Sequence, residues 1–165
     1  MQTLKGMARY NAWANQRVFD ACAAIATEQL SEEARGTYGS VGDTLAHMVE
    51  VEDIYLLMLR GEDVGQITND EGYMSHDAEW FANRSRELGD RYRETLEANN
   101  EDWLNDTYVV PWFGFPITRR DGLLQVWLHS AQHRAQVLSA LGSHGIDVPD
   151  VDYIYMLSLD QDSQE

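Results

Sequence analysis

Two histidines, His129 and His133, stand four residues apart in LLQVWLHSAQHRAQVLSALGSHG. On a helix of about 3.6 residues per turn this spacing leaves the rings about 40° apart, one above the other, so both can reach one ion. An apolar stripe through Val126, Val137, Ala140 and Leu141 continues through both histidines, and the rings are expected to face a core. A buried neutral imidazole must satisfy a donor and an acceptor; a metal takes the lone pair and leaves the N–H for an outer partner. The same spacing also arises without metal. The glutamate of an HExxH protease helix is absent, since Ser130 follows His129, and with it goes that enzyme's general base.

Zinc-like catalytic sites use three protein ligands and an open position. His76, in a polar stretch, and His144, at the end of the last long helix, read as surface residues. His47 in TLAHMVEVEDIY is different: it lies one turn before Val51 and two before Ile54, on an apolar arc. If its helix packs beside the one carrying His129 and His133, the three rings form a three-nitrogen face. A hydrogen-bonded core histidine is the other reading of His47, and helical geometry alone leaves both open. Asp43 and Glu50 flank His47 and are placed to orient its free N–H or to face solvent. Arg134 and Gln136, beside the pair, are candidates to hold a substrate carboxylate, with a solvated face as the alternative.

Other chemistries lack their residues. A di-iron bundle needs Glu-x-x-His on two helices, and no histidine here has a glutamate three residues before it. GxGxxG, GxxxxGK[ST] and GxSxG motifs are absent.

Four helical segments must position the histidines. The first spans about residues 3–26, with Leu4, Met7, Ala14, Val18, Ala21 and Ile25 on one face, interrupted by Asn11. The second starts after Ser40, an N-cap with Asp43 three residues on, and ends at Gly61. The third begins near Ser75 or Asp77 and is amphipathic through Phe81, Leu88, Tyr92 and Leu96; the fourth runs from about Asp121 to Ser143. Between these last two, TYVVPWFGFPIT reads as a short hairpin or extended loop, and VDYIYMLSL near the end as a short packed helix before a fraying DQDSQE. The expected architecture is all-α: one domain over residues 1–165, a four-helix bundle whose facing side chains build a site in its core.

Twelve Lys+Arg against 28 Asp+Glu give a net charge of −16, a field that repels phosphate backbones and anionic membranes, so no nucleic-acid partner is expected. Lys5 is the sole lysine, and this skew with abundant acid resembles proteins of a salty cytoplasm. No apolar run approaches the roughly 18 residues of a membrane span. The one cysteine, Cys22, among Ala21, Ala23 and Ile25, reads as a core residue without a base to activate it, and with the absent secretory core the expected location is cytoplasmic. Trp13, Trp112, Phe113 and Phe115 are more aromatic surface than a small bundle readily buries, so the hairpin either lips the metal pocket or meets another subunit.

On YNAWANQRVFD, TLAHMVEVEDIYLLMLRG, HSAQHRAQV and GIDVPDVDYIYML, in that order and spacing, the chain resembles the DinB/YfiT-like family, distinct from the DNA polymerase of similar name. The resemblance implies an up-down-down-up bundle, often a homodimer, with a divalent metal such as nickel or zinc on His47, His129 and His133. It also implies metal-dependent chemistry on a small molecule, since relatives include enzymes using low-molecular-weight thiols such as mycothiol or bacillithiol, as S-transferases or maleylpyruvate isomerases. Ala135 stands where a family glycine is often seen. Two functions follow as expectations: an enzyme activating a thiol or water toward an electrophile, or a metal-binding stress or interaction protein without turnover.

Overall fold

The computed structural model describes residues 1–65, 73 and 76–162. Its elements are α1 (Gln2–Ala23), α2 (Thr27–Leu30), α3 (Val41–Arg60), α4 (Ala78–Ala98), α5 (Glu101–Asn105), β1 (Thr107–Val109), β2 (Pro116–Thr118), α6 (Arg119–Ser143) and α7 (Tyr153–Asp162). Helix ends follow local chemistry. Ser40 and Asp43 form a reciprocal capping box at the start of α3, and Gly61 closes it at φ 72°, where a side chain would be strained. Asp77 caps α4 by accepting from the Trp80 amide; the alternative start, Ser75, lies outside the described residues, as do 163–165 of the expected fray. A second box, Thr118 with Asp121, moves the start of α6 back to Arg119, because Asp121 occupies the third helical position. The first helix ends at Ala23, short of the expected 26, since Ala26 adopts an extended backbone (ψ 139°) ahead of the single turn α2. No glycine or proline announces that break.

The four long helices form a ring in which α1 and α3 each pack against both α4 and α6. Contacts fix the directions. Leu59 O accepts from Arg119 Nε at 2.9 Å while His47 meets His129, so α3 and α6 are antiparallel. Asp20 pairs with Arg86, and a side chain at Gly89 would strike Ala12, so α1 and α4 are antiparallel. The Met1 amino group and Arg120 share Glu101, and Arg134 lies beside Asn15, so α1 and α6 run parallel. The bundle is up-down-down-up, with α1 diagonal to α3. Phe19, Leu45, Met48, Leu56, Leu88 and Leu123 are fully buried at its centre. Such apolar surface removed from water, at about 25 cal/mol per Å², is the main favourable term in folding. No helix among the described residues is long and apolar enough to cross a membrane.

The hairpin pairs antiparallel as Thr107 with Thr118, Tyr108 with Ile117 and Val109 with Pro116. It seats on α6 where Gly122 leaves a gap: a Cβ there would lie 2.1 Å from the Tyr108 phenol oxygen. Gly122→Ala is therefore expected to destabilise the protein by about 1–3 kcal/mol through overpacking, despite alanine's better helix propensity. A urea midpoint equal to that of the unsubstituted protein would show that the hairpin lifts without cost. Trp112, Phe113 and Phe115 remain at least half exposed at the tip. Trp13, in contrast, is half-buried, with the ring centroid of Tyr155 of α7 at 6.2 Å and the Arg17 guanidinium over its ring at 5.3 Å.

Candidate metal centre

His47 sits on the second turn of α3, and His129 and His133 lie midway along α6, so the antiparallel α3/α6 seam brings together residues 82 apart in sequence. The Nε2 atom of His129 is 3.1 Å from that of His47 and 3.1 Å from that of His133. The three rings offer nitrogens all within 4.8 Å of one another. Tetrahedral bonds of about 2.0–2.1 Å place ligand nitrogens about 3.4 Å apart, close to this spacing.

The donor set fits a cation. His133 Nδ1 donates to Gln136 Oε1 at 2.6 Å, which leaves its Nε2 as a bare lone pair directed at the other rings. His47 is held flat against Tyr38, with ring centroids 4.2 Å apart and planes 9° from parallel, and its Nδ1 faces Glu50 Oε2 at 3.9 Å. Burial lowers the pKa of His47, helped by the proximity of His133. Burial, with His133 and His47 adding to it, lowers that of His129 to about 4. Both rings are thus neutral near pH 7, the state that ligates.

Linkage gives a sign. An unfolded chain protonates His129 near pH 6.5, while the folded one resists until about 4, so below 6.5 the unfolded state binds more protons and folding is weakened as pH falls. In metal-free protein the melting temperature is expected to drop less between pH 6.5 and 4 in His129→Ala than in the unsubstituted chain; equal drops would contradict the shift.

Several neighbours serve differently from the sequence expectation. Arg134 does not face solvent. It is 2% exposed, its Nη1 donates to Asn11 Oδ1 at 2.7 Å and to Asn15 Oδ1, and its guanidinium lies 5.5 Å from the Tyr10 ring, so it is not free to anchor a substrate carboxylate. Asp43 does not orient His47; its carboxylate accepts the Ser40 amide at the helix cap. Gln136 holds the His133 ring. Ala135, where the family glycine is often found, is exposed. His76 and His144 are exposed, His76 stacked on Trp80. Cys22 is buried, and burial pushes its thiol up to about 12, which makes it a poor nucleophile.

Sequence reasoning missed Tyr38 and the buried group Asn11, Asn15, Glu52 and Ser130. One signal was present: Asn11 and Asn15, spaced i and i+4, interrupt the same apolar face that Val18 and Cys22 continue.

Among solved structures, YfiT from Bacillus subtilis, described as a probable metal-dependent hydrolase with an unusual four-helix bundle topology, is similar. It is 17% identical, with 89% of this chain and 90% of that one covered and a TM-score of 0.69. A DinB-like protein from Bacillus cereus ATCC 10987 is 21% identical, with coverage of 87% and 92% and a TM-score of 0.69. A mycothiol-dependent maleylpyruvate isomerase matches at 14% identity and a TM-score of 0.68 over 91% of this chain but only 65% of its own length. These likenesses establish a shared fold. No protein with a curated description matches the chain. A family profile, however, matches residues 1–164 nearly end to end, and the chain belongs to the DinB family.

Proposed function

We propose that His47, His129 and His133 hold one divalent cation, nickel or zinc, and that the protein is a metal-dependent enzyme acting on a small molecule with a low-molecular-weight thiol or water as nucleophile. The observation that carries this reading is the convergence of three imidazoles, with the Nε2 of His129 3.1 Å from that of His47 and 3.1 Å from that of His133. A divalent ion on three neutral ligands keeps its full charge and supplies Lewis acidity, lowering the pKa of a water or thiol toward neutrality. The chain's own residues prepare the site: Gln136 fixes the tautomer and plane of His133, Tyr38 covers one face of His47, and burial keeps His47 and His129 unprotonated. Among the described residues the cluster contains three donors, which supports an open position and a catalytic role over a closed structural site. The isomerase and hydrolase relatives support the thiol and water alternatives respectively. The lone buried cysteine suits a reducing cytoplasm.

The test is elemental analysis of untagged protein followed by thiol consumption and hydrolysis assays against a panel of electrophiles. One equivalent of metal with metal-dependent turnover is expected. Turnover unaffected by chelation overturns the enzyme mechanism, and full metal retention without turnover leaves a binding protein.

The protein is further expected to form a two-fold dimer through the hairpin tip, because Trp112, Phe113 and Phe115 are 50%, 62% and 53% exposed and lie together. Sedimentation at micromolar concentration showing only an 18.8 kDa species contradicts this.

A further inference from the structure

Helix α6 carries two polar stripes side by side. One is His129 and His133; the other, one residue further on and about 100° around the helix, is Ser130 and Arg134. The second stripe enters a closed hydrogen-bond circuit. Ser130 Oγ donates to Glu52 Oε1 at 2.6 Å, and the Nδ2 groups of Asn11 and Asn15 donate to the same oxygen at 2.8 and 2.7 Å. Arg134 returns the circuit to α6 by donating to both asparagine carbonyl oxygens. Every member is buried, none more than 4% exposed. Glu52 lies on α3, the helix of His47, and the asparagines reach it from α1, across the bundle diagonal.

Apolar packing is non-directional and resists rotation of a helix about its own axis only weakly. Hydrogen bonds have a narrow range of length and angle. With helix side chains extending about 5–6 Å from the axis, a rotation of about 20° moves a ring nitrogen by about 2 Å, whereas a metal bond tolerates about 0.2 Å. We infer that the Glu52 circuit sets the rotation of α6 against α3 and so the convergence of the three imidazoles, making Glu52 and Ser130 positioning residues of the metal centre although neither touches the histidine nitrogens. The inference rests on the metal reading given above.

The test titrates Co²⁺ and Zn²⁺ into the metal-free full chain against a chromophoric chelator and records the visible spectrum of the Co²⁺ form. Glu52→Gln keeps the side-chain shape and removes the charge; Ser130→Ala removes one hydroxyl from an otherwise intact helix. Each is expected to weaken metal binding about tenfold, the size usual for outer partners of ligands, and to alter the Co²⁺ spectrum at saturation. The double variant is expected to lose less than the two losses combined, since both act on one circuit. A control for simple loss of stability is Leu96→Ala, on the α1/α4 side away from the histidines and 1% exposed. It should lower the metal-free melting temperature yet leave affinity within about twofold, as for independent sites. Should Glu52→Gln fail to fold, Ser130→Ala decides alone. Unchanged affinity and spectrum in Ser130→Ala overturn the inference while leaving the metal reading intact, as does an affinity loss in Leu96→Ala proportional to its destabilisation. Failure of the unsubstituted protein to take up either metal overturns both.

Discussion

His129→Ala is expected to abolish stoichiometric metal binding, and with it any metal-dependent turnover, while the bundle stays folded. His129 is the middle member of the cluster, with its Nε2 at 3.1 Å from each of the other two. Its removal leaves His47 and His133, whose ring centroids are 5.0 Å apart, as two ligands where a catalytic site needs three. The fold survives because His129 is half-buried on the α3/α6 seam, while the core leucines, Phe19 and the polar circuit on the neighbouring face are untouched. The measurement pairs metal content by elemental analysis with helical circular dichroism. Full metal retention overturns the assignment of this ligand; loss of helicity shows that the ring was also holding the core. Gln136→Ala should be milder, about tenfold in metal affinity, because it frees the His133 ring without removing it.

The largest expected effect on stability belongs to Arg134→Ala, about 3–5 kcal/mol, the range found when one partner of a buried charged network is removed. Arg134 is 2% exposed, and burial lowers its pKa while Tyr10 and Glu52 act in the opposite direction. Without it, the carbonyl oxygens of Asn11 and Asn15 lose their donor, and the buried carboxylate of Glu52 loses the favourable interaction with the guanidinium. A loss of that size is a large share of the 5–15 kcal/mol typical of a whole domain. Urea unfolding with an unchanged slope reads it; a shift below about 1 kcal/mol, typical of a surface substitution, would show that water replaces the guanidinium.

Much of this arrangement was legible in the chain. The i, i+4 histidines, the apolar arc around His47, and the Ser40 and Gly61 boundaries depend on local periodicity and capping, which a sequence displays directly. The resemblance implies the up-down-down-up order of helix directions, which no local pattern contains, since it depends on which helices become neighbours. What escaped notice was non-local. Asn11 looked like a flaw in an apolar face, and only the diagonal placement of α1 and α3 shows that it faces Glu52. An arginine beside the histidine pair points by type to solvent or substrate; the carboxylate and two amides that let Arg134 be buried come from two other helices. The short helices α2 and α5 have too few residues for a period to emerge.

The separation of His47 from His129 along the chain has a thermodynamic side. An ion bridging them closes a loop of 82 residues, long enough that the unfolded chain has no comparable site. Binding therefore adds to folding stability by mass action, about 4 kcal/mol when free metal stands a thousandfold above its dissociation constant. Thermal denaturation becomes a gauge of occupancy that needs no substrate: a series of divalent ions can be ranked by how far each raises the transition, and the chemistry of the cargo-free centre can be followed before any reaction is known.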